Sequence, residues 1–207
     1  PRHYFSTYSN GVAEIFLEKR RLYLIPDRPI KNRKLTIVYA GNIGDGQALH
    51  HIIPELALKL EDKVHFLIIG DGSRRQLLSD IIYKMQVNNV ELLPPIPQID
   101  VINYYQQADI LFLHLNDVPA FQSVLPSKLF EYSAQEKPIL AGVNGYAHTF
   151  IEQNINNAEV FSPCDANSAL LALQKLSLQP CDRSKFVNSF SRKKIMSKMA
   201  KDILTLK

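Results

Sequence analysis

A short stretch near the middle of the chain combines a hydroxyl, an ammonium and a carboxylate. Ser127 and Lys128 directly follow Pro126, a residue suited to the first turn of a helix, and Glu131 comes one turn later. At the positive end of such a helix, the hydroxyl, the ammonium and free backbone N–H groups could bind a diphosphate and stabilise it as it leaves. A carboxylate beside a diphosphate is repulsive unless it accepts hydrogen bonds from neutral hydroxyls, such as a ribose diol. The alternative for Lys128 and Glu131 is an ion pair on a solvated helix face.

Two glycine-rich turns are candidate phosphate sites. Residues 41–46 read Gly-Asn-Ile-Gly-Asp-Gly after one predicted strand, and residues 70–72 read Gly-Asp-Gly after the next. Exposed backbone N–H groups in such turns, with the start of a following helix, can hold an anion. The first turn has the order GxxGxG, the reverse of the dinucleotide fingerprint, and no GxxxxGKS or GxxxxGKT motif occurs, so neither classical NAD binding nor a P-loop mechanism is supported. Either turn could also be no more than a tight connection.

The elements that position these residues follow from hydrophobic patterning. From Leu35 onward, apolar runs of strand length alternate with stretches of helical period, which predicts βαβ units and a parallel sheet covered on both faces. The predicted strands are residues 35–40, 64–69, 90–92, 109–114, 138–141 and 158–161. The predicted helices are residues 48–60, 74–86, 99–107, 127–134, 147–153 and 166–176. This order predicts an α/β fold with a Rossmann-like, doubly wound parallel sheet, in which ligands bind beyond the carboxyl ends of the strands.

The two ends of the chain depart from this alternation. Residues 3–8 predict a strand that ends at an Asn-Gly turn, and residues 18–33 predict a charged connector. We therefore expect residues 1–34 to be the end of a preceding domain with its connector, 35–180 to be the Rossmann-like domain, and the chain to be a piece of a longer protein. Residues 181–207 predict a basic amphipathic helix, with eight basic residues and one acid after residue 182. That helix could pack on this or another domain, or lie on an anionic membrane surface.

The composition is that of a globular protein without a membrane span. Of 207 residues, 46% are apolar and 21% are charged, and the net charge is +4. The longest apolar runs, such as residues 110–113, fall far short of the roughly 20 residues that cross a bilayer. Two cysteines without a His or Cys at ligand spacing predict cytosolic thiols rather than disulfides or a metal site. We expect a soluble, cytoplasmic protein that binds no nucleic acid.

Four motifs together resemble those of bacterial family-four glycosyltransferases of the GT-B fold, over about residues 8–176. They are the turns at 41–44 and 70–72, the run Tyr-Tyr-Gln-Gln-Ala-Asp-Ile at 104–110, and Pro-Ser-Lys-Leu-Phe-Glu-Tyr at 126–132. The resemblance is to retaining enzymes that build O-antigen or capsule repeat units on a lipid-diphosphate carrier, at the inner face of the cytoplasmic membrane. In that family two Rossmann-like domains face each other across a cleft, and the carboxyl-terminal one binds the nucleotide sugar. The resemblance implies that this chain is that half and that it binds a UDP-sugar.

The resemblance also implies roles for individual residues. The positions that would bind the donor are Gly41, Asn42 and Gly44 facing the diphosphate, Gly72 bordering the nucleotide, Ile96 offering its backbone to the base, Ser127 and Lys128 on the phosphate oxygens, and Glu131 on the ribose hydroxyls. Lys128 would also be catalytic, because it would stabilise the leaving diphosphate. Neither a cofactor nor a metal is implied, since the sequence has no Asp-x-Asp pair and Lys128 with the helix end could balance the phosphates.

The chain departs from the family pattern in three ways. Many relatives carry a glutamate eight residues before the ribose-binding one, where this chain has Ser123, so sugar contacts are expected from Phe121, Gln122 and Ser123. Asn42 and Gln47 stand in the first loop, where relatives have Arg and Lys. The amino-terminal domain, which in the family binds the lipid-linked saccharide acceptor and supplies a catalytic His, is absent from this sequence, so the chain alone is expected to bind donor without transferring sugar. A sugar-nucleotide epimerase and a non-catalytic nucleotide-binding module stay open as alternatives.

Overall fold

The computed structural model describes residues 8–18 and 33–205, which build one six-stranded sheet between two layers of helices. Neighbouring strands are all parallel, in the order β3-β2-β1-β4-β5-β6. The strands are β1 (Leu35–Ala40), β2 (Val64–Ile69), β3 (Val90–Leu93), β4 (Ile110–His114), β5 (Ile139–Gly142) and β6 (Ala158–Phe161). The helices are α1 (Glu14–Glu18), α2 (Leu49–Lys59), α3 (Arg75–Lys84), α4 (Gln98–Gln107), α5 (Lys128–Ser133), α6 (Gly145–Asn154), α7 (Ala166–Lys175), α8 (Ser184–Ser189) and α9 (Arg192–Leu204), with a 3-10 helix at Pro119–Ser123. The predicted doubly wound parallel sheet is confirmed.

Alternating side chains of each strand supply the two halves of the core. In β1, Ile37 and Tyr39 pack with apolar residues of α2, α3 and α7, whereas Val38 and Ala40 pack with those of α4, α5, α6 and α8. All five residues of β4 are buried. Burial on both faces explains why these strands are continuously apolar in sequence.

The sheet order reverses between β1 and β4. From β1 the chain moves outward through β2 to β3, then crosses back to β4 and moves outward again through β5 to β6. The connections that follow β1 and β4 therefore lead away from each other and leave a crevice at the carboxyl edge of the sheet. Residues 41–48 and 115–127 border this crevice.

Two short helical elements were not predicted from the sequence. The 3-10 helix at Pro119–Ser123 and the helix α1 have five residues each. Five residues make little more than one turn, which is too short for hydrophobic periodicity to reveal. The 3-10 helix matters for the site, because it lies in the connection that follows β4.

Segments near both ends of the chain pack together. The Val12 N–H donates to the Phe190 carbonyl at 2.8 Å, the Arg192 N–H donates to the Val12 carbonyl at 3.1 Å, and Val12 forms a parallel bridge with Ser191. Phe16 is buried in the core beside α4, α5 and α8. The prediction of a single helix over residues 181–207 is wrong, because Ser191 adopts an extended backbone to pair with Val12 and so separates α8 from α9.

Some predictions concern residues beyond this description. The predicted strand at residues 3–8 and the predicted connector at 18–33 lie outside the described residues except at their ends. The predicted domain limits at residues 34 and 180 stay predictions. Within residues 8–18 and 33–205, no helix is both long and apolar enough to cross a membrane.

Candidate functional site

A cavity of about 420 Å³ opens at the carboxyl edge of the sheet, and we call it the first cavity. Its floor comes from the ends of β1 and β2 with the two glycine turns, and its walls come from α4, α5 and the loop after β3. Its lining residues are Ala40, Gly41, Asn42, Ile69, Gly70, Asp71, Pro95, Ile96, Gln98, Val101, Tyr105, Lys128 and Glu131. Residues of the first glycine turn and Lys128 of α5 therefore line the same cavity.

The helix α5 contributes Lys128 and Glu131 to the first cavity from one face. Its first turn closes on itself, because the N–H groups of Leu129 and Phe130 each donate at 3.1 Å to the carbonyl three residues earlier. These two N–H groups are therefore not free to bind an anion. The positive charge on this wall comes chiefly from the ammonium of Lys128.

The Lys128 side chain lies against the first glycine turn. A Cβ atom at Gly41 would overlap the Cε and Nζ atoms of Lys128, so the lysine side chain occupies space that the glycine leaves free. The ammonium stands 6.0 Å from the centre of the Tyr39 ring. Burial lowers the pKa of Lys128, and the neighbouring Glu131 carboxylate raises it. The turn thus makes room for a half-buried positive charge beside its own backbone.

Hydrogen bonds hold the two glycine turns to each other. The Ile43 N–H donates to the Asp71 carbonyl at 2.7 Å, and the Arg74 N–H donates to the Ile43 carbonyl at 2.9 Å. The Arg74 guanidinium also forms an ion pair with Asp45. A Cβ atom at Gly72 would lie 2.6 Å from the Ile43 carbonyl oxygen. Gly72 therefore allows the two turns to touch, and it supports the first cavity from behind rather than lining it.

Asn42 is fixed in place where relatives of the resembled family carry an arginine. The hydroxyl of the buried Tyr39 donates to the Asn42 carbonyl at 2.6 Å. The Asn42 side-chain N–H donates to Gln47 Oε1 at 2.7 Å. Burial raises the pKa of Tyr39, which keeps the hydroxyl protonated as the donor. Asn42 and Gln47 thus present a neutral, hydrogen-bonded pair rather than two cations.

Two buried tyrosines stand behind Glu131. The Tyr105 hydroxyl donates to Glu131 Oε2 at 3.4 Å, and the Tyr105 and Tyr132 rings meet edge to face with centroids 5.1 Å apart. Burial raises the pKa of both hydroxyls. The Tyr132 hydroxyl accepts a long hydrogen bond of 3.5 Å from the Ala40 N–H. Sequence reasoning assigned these tyrosines no role, although both stand inside the motifs that carry the family resemblance.

The loop after β3 supplies one end of the first cavity. Pro95 and Ile96 line it, and Gln98 joins them from the first residue of α4. The role of Ile96 beside a nucleotide base stays a prediction. Gln98 adds a side-chain amide that sequence reasoning missed, because nothing in a lone glutamine distinguishes it from a solvated surface residue.

A second cavity of about 290 Å³ adjoins the first, since Asn42 and Lys128 line both. The 3-10 helix places Phe121 on its wall, where a Cβ atom at Gly46 would lie 3.0 Å from the Phe121 ring. Gln122 faces away, with its backbone and side chain against Gly145. The second cavity continues the site beyond Lys128.

The buried His114 joins three segments around the second cavity. Its Nδ1–H donates to the Gln47 carbonyl at 2.7 Å, and its Nε2 accepts from the Cys164 N–H at 2.9 Å. A carbonyl can only accept and an N–H can only donate, so these bonds define the neutral Nδ1–H tautomer. Burial lowers the pKa of His114 to about 4. The family resemblance did not point to this residue, and its position at the end of β4 was the only signal in the sequence.

The structure sorts the predicted site residues into three groups. Those that line the first cavity are Gly41, Asn42, Ile96, Lys128 and Glu131. Those that line the second cavity, besides Asn42 and Lys128, are Phe121 and Ser127. Those that line neither are Gly44, Gly72, Gln122 and Ser123. Within the described ranges, no group of three or more His, Cys, Asp or Glu side chains is arranged to hold a metal ion.

A doubly wound sheet with this cavity at its switch point defines a domain of the Rossmann-like class. Residues 24–193 match the family described as Glycosyl transferases group 1, and the chain belongs to that family. The predicted membership in a glycosyltransferase family is therefore confirmed. No sequence match was found among curated proteins.

Solved GT-B glycosyltransferases share the fold at low sequence identity. HepE of Anabaena, solved in complex with UDP and glucose, is 17% identical, with a TM-score of 0.65 over 93% of this chain and 52% of its own. A UDP-forming trehalose-phosphate synthase of Burkholderia vietnamiensis is 13% identical, with a TM-score of 0.69 over 96% of this chain and 53% of its own. The pneumococcal O-GlcNAc transferase GtfA, solved with UDP and GlcNAc, is 16% identical, with a TM-score of 0.60 over 83% of this chain and 35% of its own. The chain thus spans about half the length of the first two of these proteins.

Proposed function

We propose that this chain is the donor-binding half of a retaining glycosyltransferase, and that its two cavities bind a UDP-linked sugar. One observation carries the proposal: Lys128 and Glu131 stand on one helix face in a cavity that also contains the first glycine turn and the loop after β3. This arrangement suits a nucleotide diphosphate, because the Glu131 carboxylate can face the neutral ribose hydroxyls while the Lys128 ammonium faces the negative phosphates. The solved structures of HepE and GtfA, which contain UDP, support the choice of nucleotide.

Each part of the donor has a proposed partner. Glu131, held by Tyr105, accepts hydrogen bonds from the ribose hydroxyls, and the loop around Ile96 borders the base. Gly41 borders the diphosphate and leaves the space that the Lys128 side chain occupies, and Lys128 neutralises the charge of the diphosphate. The sugar continues past Lys128 into the second cavity, beside Phe121 and Ser127.

Catalysis by these groups would rest on position and charge. The bond between the sugar carbon and the phosphate oxygen breaks as the acceptor oxygen bonds to the same carbon, and negative charge grows on the departing diphosphate. Lys128 stabilises that charge. We propose that the acceptor hydroxyl passes its proton to the departing diphosphate on the same face of the sugar, which gives retention, and that neither a metal nor a cofactor takes part.

The biological setting is proposed from the family resemblance. We propose that the whole protein transfers a hexosyl or N-acetylhexosaminyl group to a lipid-linked or saccharide acceptor in O-antigen or capsule synthesis. The acceptor would bind to a domain outside this chain, so the chain alone would bind donor without transfer. Transfer would occur in the cytoplasm at the inner membrane surface, where lysines of α9 (Lys193, Lys194, Lys198 and Lys201) could contact anionic lipid.

The test compares uridine with UDP by calorimetric titration of wild type and two variants. Glu131→Ala should weaken both ligands by roughly 1.5–3 kcal/mol, because a charged hydrogen bond to the ribose is lost. Lys128→Met should weaken UDP and spare uridine, because it removes a charge near the phosphates alone. Repeating the titrations with magnesium and with a chelator tests independence from metal.

The pair Glu55 and Lys59 on α2 provides the matched control. These residues form an ion pair of 3.4 Å at the far end of a helix, away from both cavities. Glu55→Ala and Lys59→Met should leave both affinities unchanged. Equal losses of uridine and UDP affinity in Lys128→Met would refute the phosphate assignment, and absence of UDP binding by the folded wild type would refute the proposed function.

A further inference from the structure

The second cavity has an unusual lining for a site that holds a sugar. Most of its wall is apolar, contributed by Leu113, Leu115, Phe121, Val124, Pro126 and the ring of Tyr39. Among the described residues that line it, none carries a carboxylate, the group that most readily accepts hydrogen bonds from sugar hydroxyls. The position where relatives of the resembled family carry a glutamate holds Ser123, which is exposed and lies outside this lining.

Several polar groups of the lining are already engaged with the protein. Both ring nitrogens of His114 are hydrogen-bonded, to Gln47 and Cys164. The Tyr39 hydroxyl donates to the Asn42 carbonyl, and the Asn42 amide donates to Gln47 Oε1.

Few groups are left to bond a sugar. In the described part of the chain, the neutral side-chain groups of the lining outside these bonds include the Gln47 amide N–H, the Asn42 Oδ1 and the Ser127 hydroxyl. Lys128 is reserved for the diphosphate. Any hydroxyl of a fully hydroxylated hexose that lies against the apolar wall would be buried without a partner, which is unfavourable.

We propose that the second cavity selects a donor whose sugar carries a methyl group, as an acetamido or a 6-deoxy substituent. This inference rests on the proposed function, because it takes the diphosphate to lie at Lys128. A methyl group packs favourably against Leu115, Phe121 and Val124, and a 6-deoxy sugar also presents one hydroxyl fewer to the wall. The sugar class is therefore set by the apolar wall, while the nucleotide is bound in the first cavity.

The experiment compares UDP-sugars matched in ring configuration. UDP-glucose and UDP-galactose are each titrated against their N-acetylamino and 6-deoxy counterparts, with UDP alone as the reference. In at least one configuration, the methyl-bearing donor should bind about tenfold more tightly than its hydroxylated parent. Comparing the N-acetylamino donors with the 6-deoxy donors shows which of the two methyl-bearing substituents the cavity prefers. If the parent binds at least as tightly in every pair while UDP still binds, this inference is overturned and the proposed function stands.

A substitution of equal size assigns the preference to the second cavity. Val124→Thr adds a hydroxyl to the wall with little change of volume, so the preference for the methyl-bearing donor should fall at least threefold while UDP affinity stays the same. UDP affinity also reports whether the variant is folded. The control is Val160→Thr in β6, which lines neither cavity and should keep the wild-type ratio. An unchanged ratio in Val124→Thr would place the selectivity outside the second cavity and refute the assignment.

Discussion

Tyr105 supplies one polar atom to the site from a ring that is otherwise buried. Its hydroxyl donates to Glu131 Oε2 at 3.4 Å, while its ring packs edge to face on Tyr132. The phenol stays neutral at neutral pH because burial raises its pKa, so it can donate to the carboxylate. Tyr105 is therefore a positioning residue, which orients Glu131 toward the cavity.

Removal of the Tyr105 hydroxyl should weaken the binding of the nucleoside. We expect Tyr105→Phe to weaken binding of uridine and UDP alike by about 1 kcal/mol, or about fivefold, since one neutral donor to a carboxylate is removed. Calorimetric titration with both ligands provides the measurement. Tyr104→Phe, one residue away on α4 and outside the first cavity lining, is the control and should bind as wild type does. A purely structural role for Tyr105 would instead lower the free energy of unfolding and leave the affinities unchanged.

The connection between β4 and its neighbouring loops depends on His114. This residue ends β4, and its two ring nitrogens bond to Gln47, directly after the first turn, and to Cys164 after β6. Protonation would place a second hydrogen on the ring, at the nitrogen that must accept from the Cys164 N–H. The imidazolium would also be buried. The neutral form is therefore the one that holds the three segments together.

This arrangement predicts a pH dependence of stability. The unfolded chain binds a proton at His114 near the ordinary pKa of 6.5, whereas the folded protein resists protonation until pH about 4. The unfolded state therefore binds more protons between these values, and the contribution of His114 to the free energy of unfolding falls as the pH is lowered from 6.5 to 4. Its size is on the order of 3 kcal/mol.

The measurement is urea unfolding across this pH range. In His114→Gln the free energy of unfolding should depend less steeply on pH than in wild type, because the titrating group is gone. His114→Phe separates titration from bonding: it loses both hydrogen bonds and should be less stable at pH 7, yet it should show the same flattened dependence. Wild-type steepness in both variants would show that His114 does not couple to pH in this way.

At the scale of the whole molecule, residues from the start of the chain complete the core. Phe16 is 1% exposed and packs in the half of the core that also contains Tyr105, Phe130 and Phe186. The bridge of Val12 with Ser191 brings α8 and α9 to the same place. The segment from 8 to 18 thus packs against the rest of the described fold.

The packing of Phe16 gives a direct test. We expect Phe16→Ala to lower the free energy of unfolding by about 3 to 5 kcal/mol, because it leaves a cavity among aromatic side chains. The aromatic control is Tyr83→Ala in α3, where the side chain is 85% exposed and truncation should change little. Chemical unfolding of both variants at neutral pH decides the matter. A small loss in Phe16→Ala would mean that the segment packs only loosely on the sheet.

The amino-acid sequence alone was enough to predict the parallel sheet and the two residues at the centre of the site. The strands β1, β2 and β6 have the predicted bounds, and the last four residues of both β1 and β2 are buried and apolar, as expected for strands covered on both faces. Lys128 and Glu131 could be paired from their spacing, since three residues place two side chains on the same helix face. Such inferences succeed because the relevant contacts are local in sequence.

Contacts between distant parts of the chain were decided only by the tertiary structure. Tyr105 and Glu131 are 26 residues apart in the sequence, and His114 and Cys164 are 50 apart. No spacing pattern in the sequence predicts either contact. The split between α8 and α9 follows from pairing with Val12, which overrides a continuous helical pattern. The apolar wall of the second cavity likewise gathers side chains from β4, the 3-10 helix and the turns beside them. Local patterning specifies elements, whereas the lining of a cavity depends on how those elements pack.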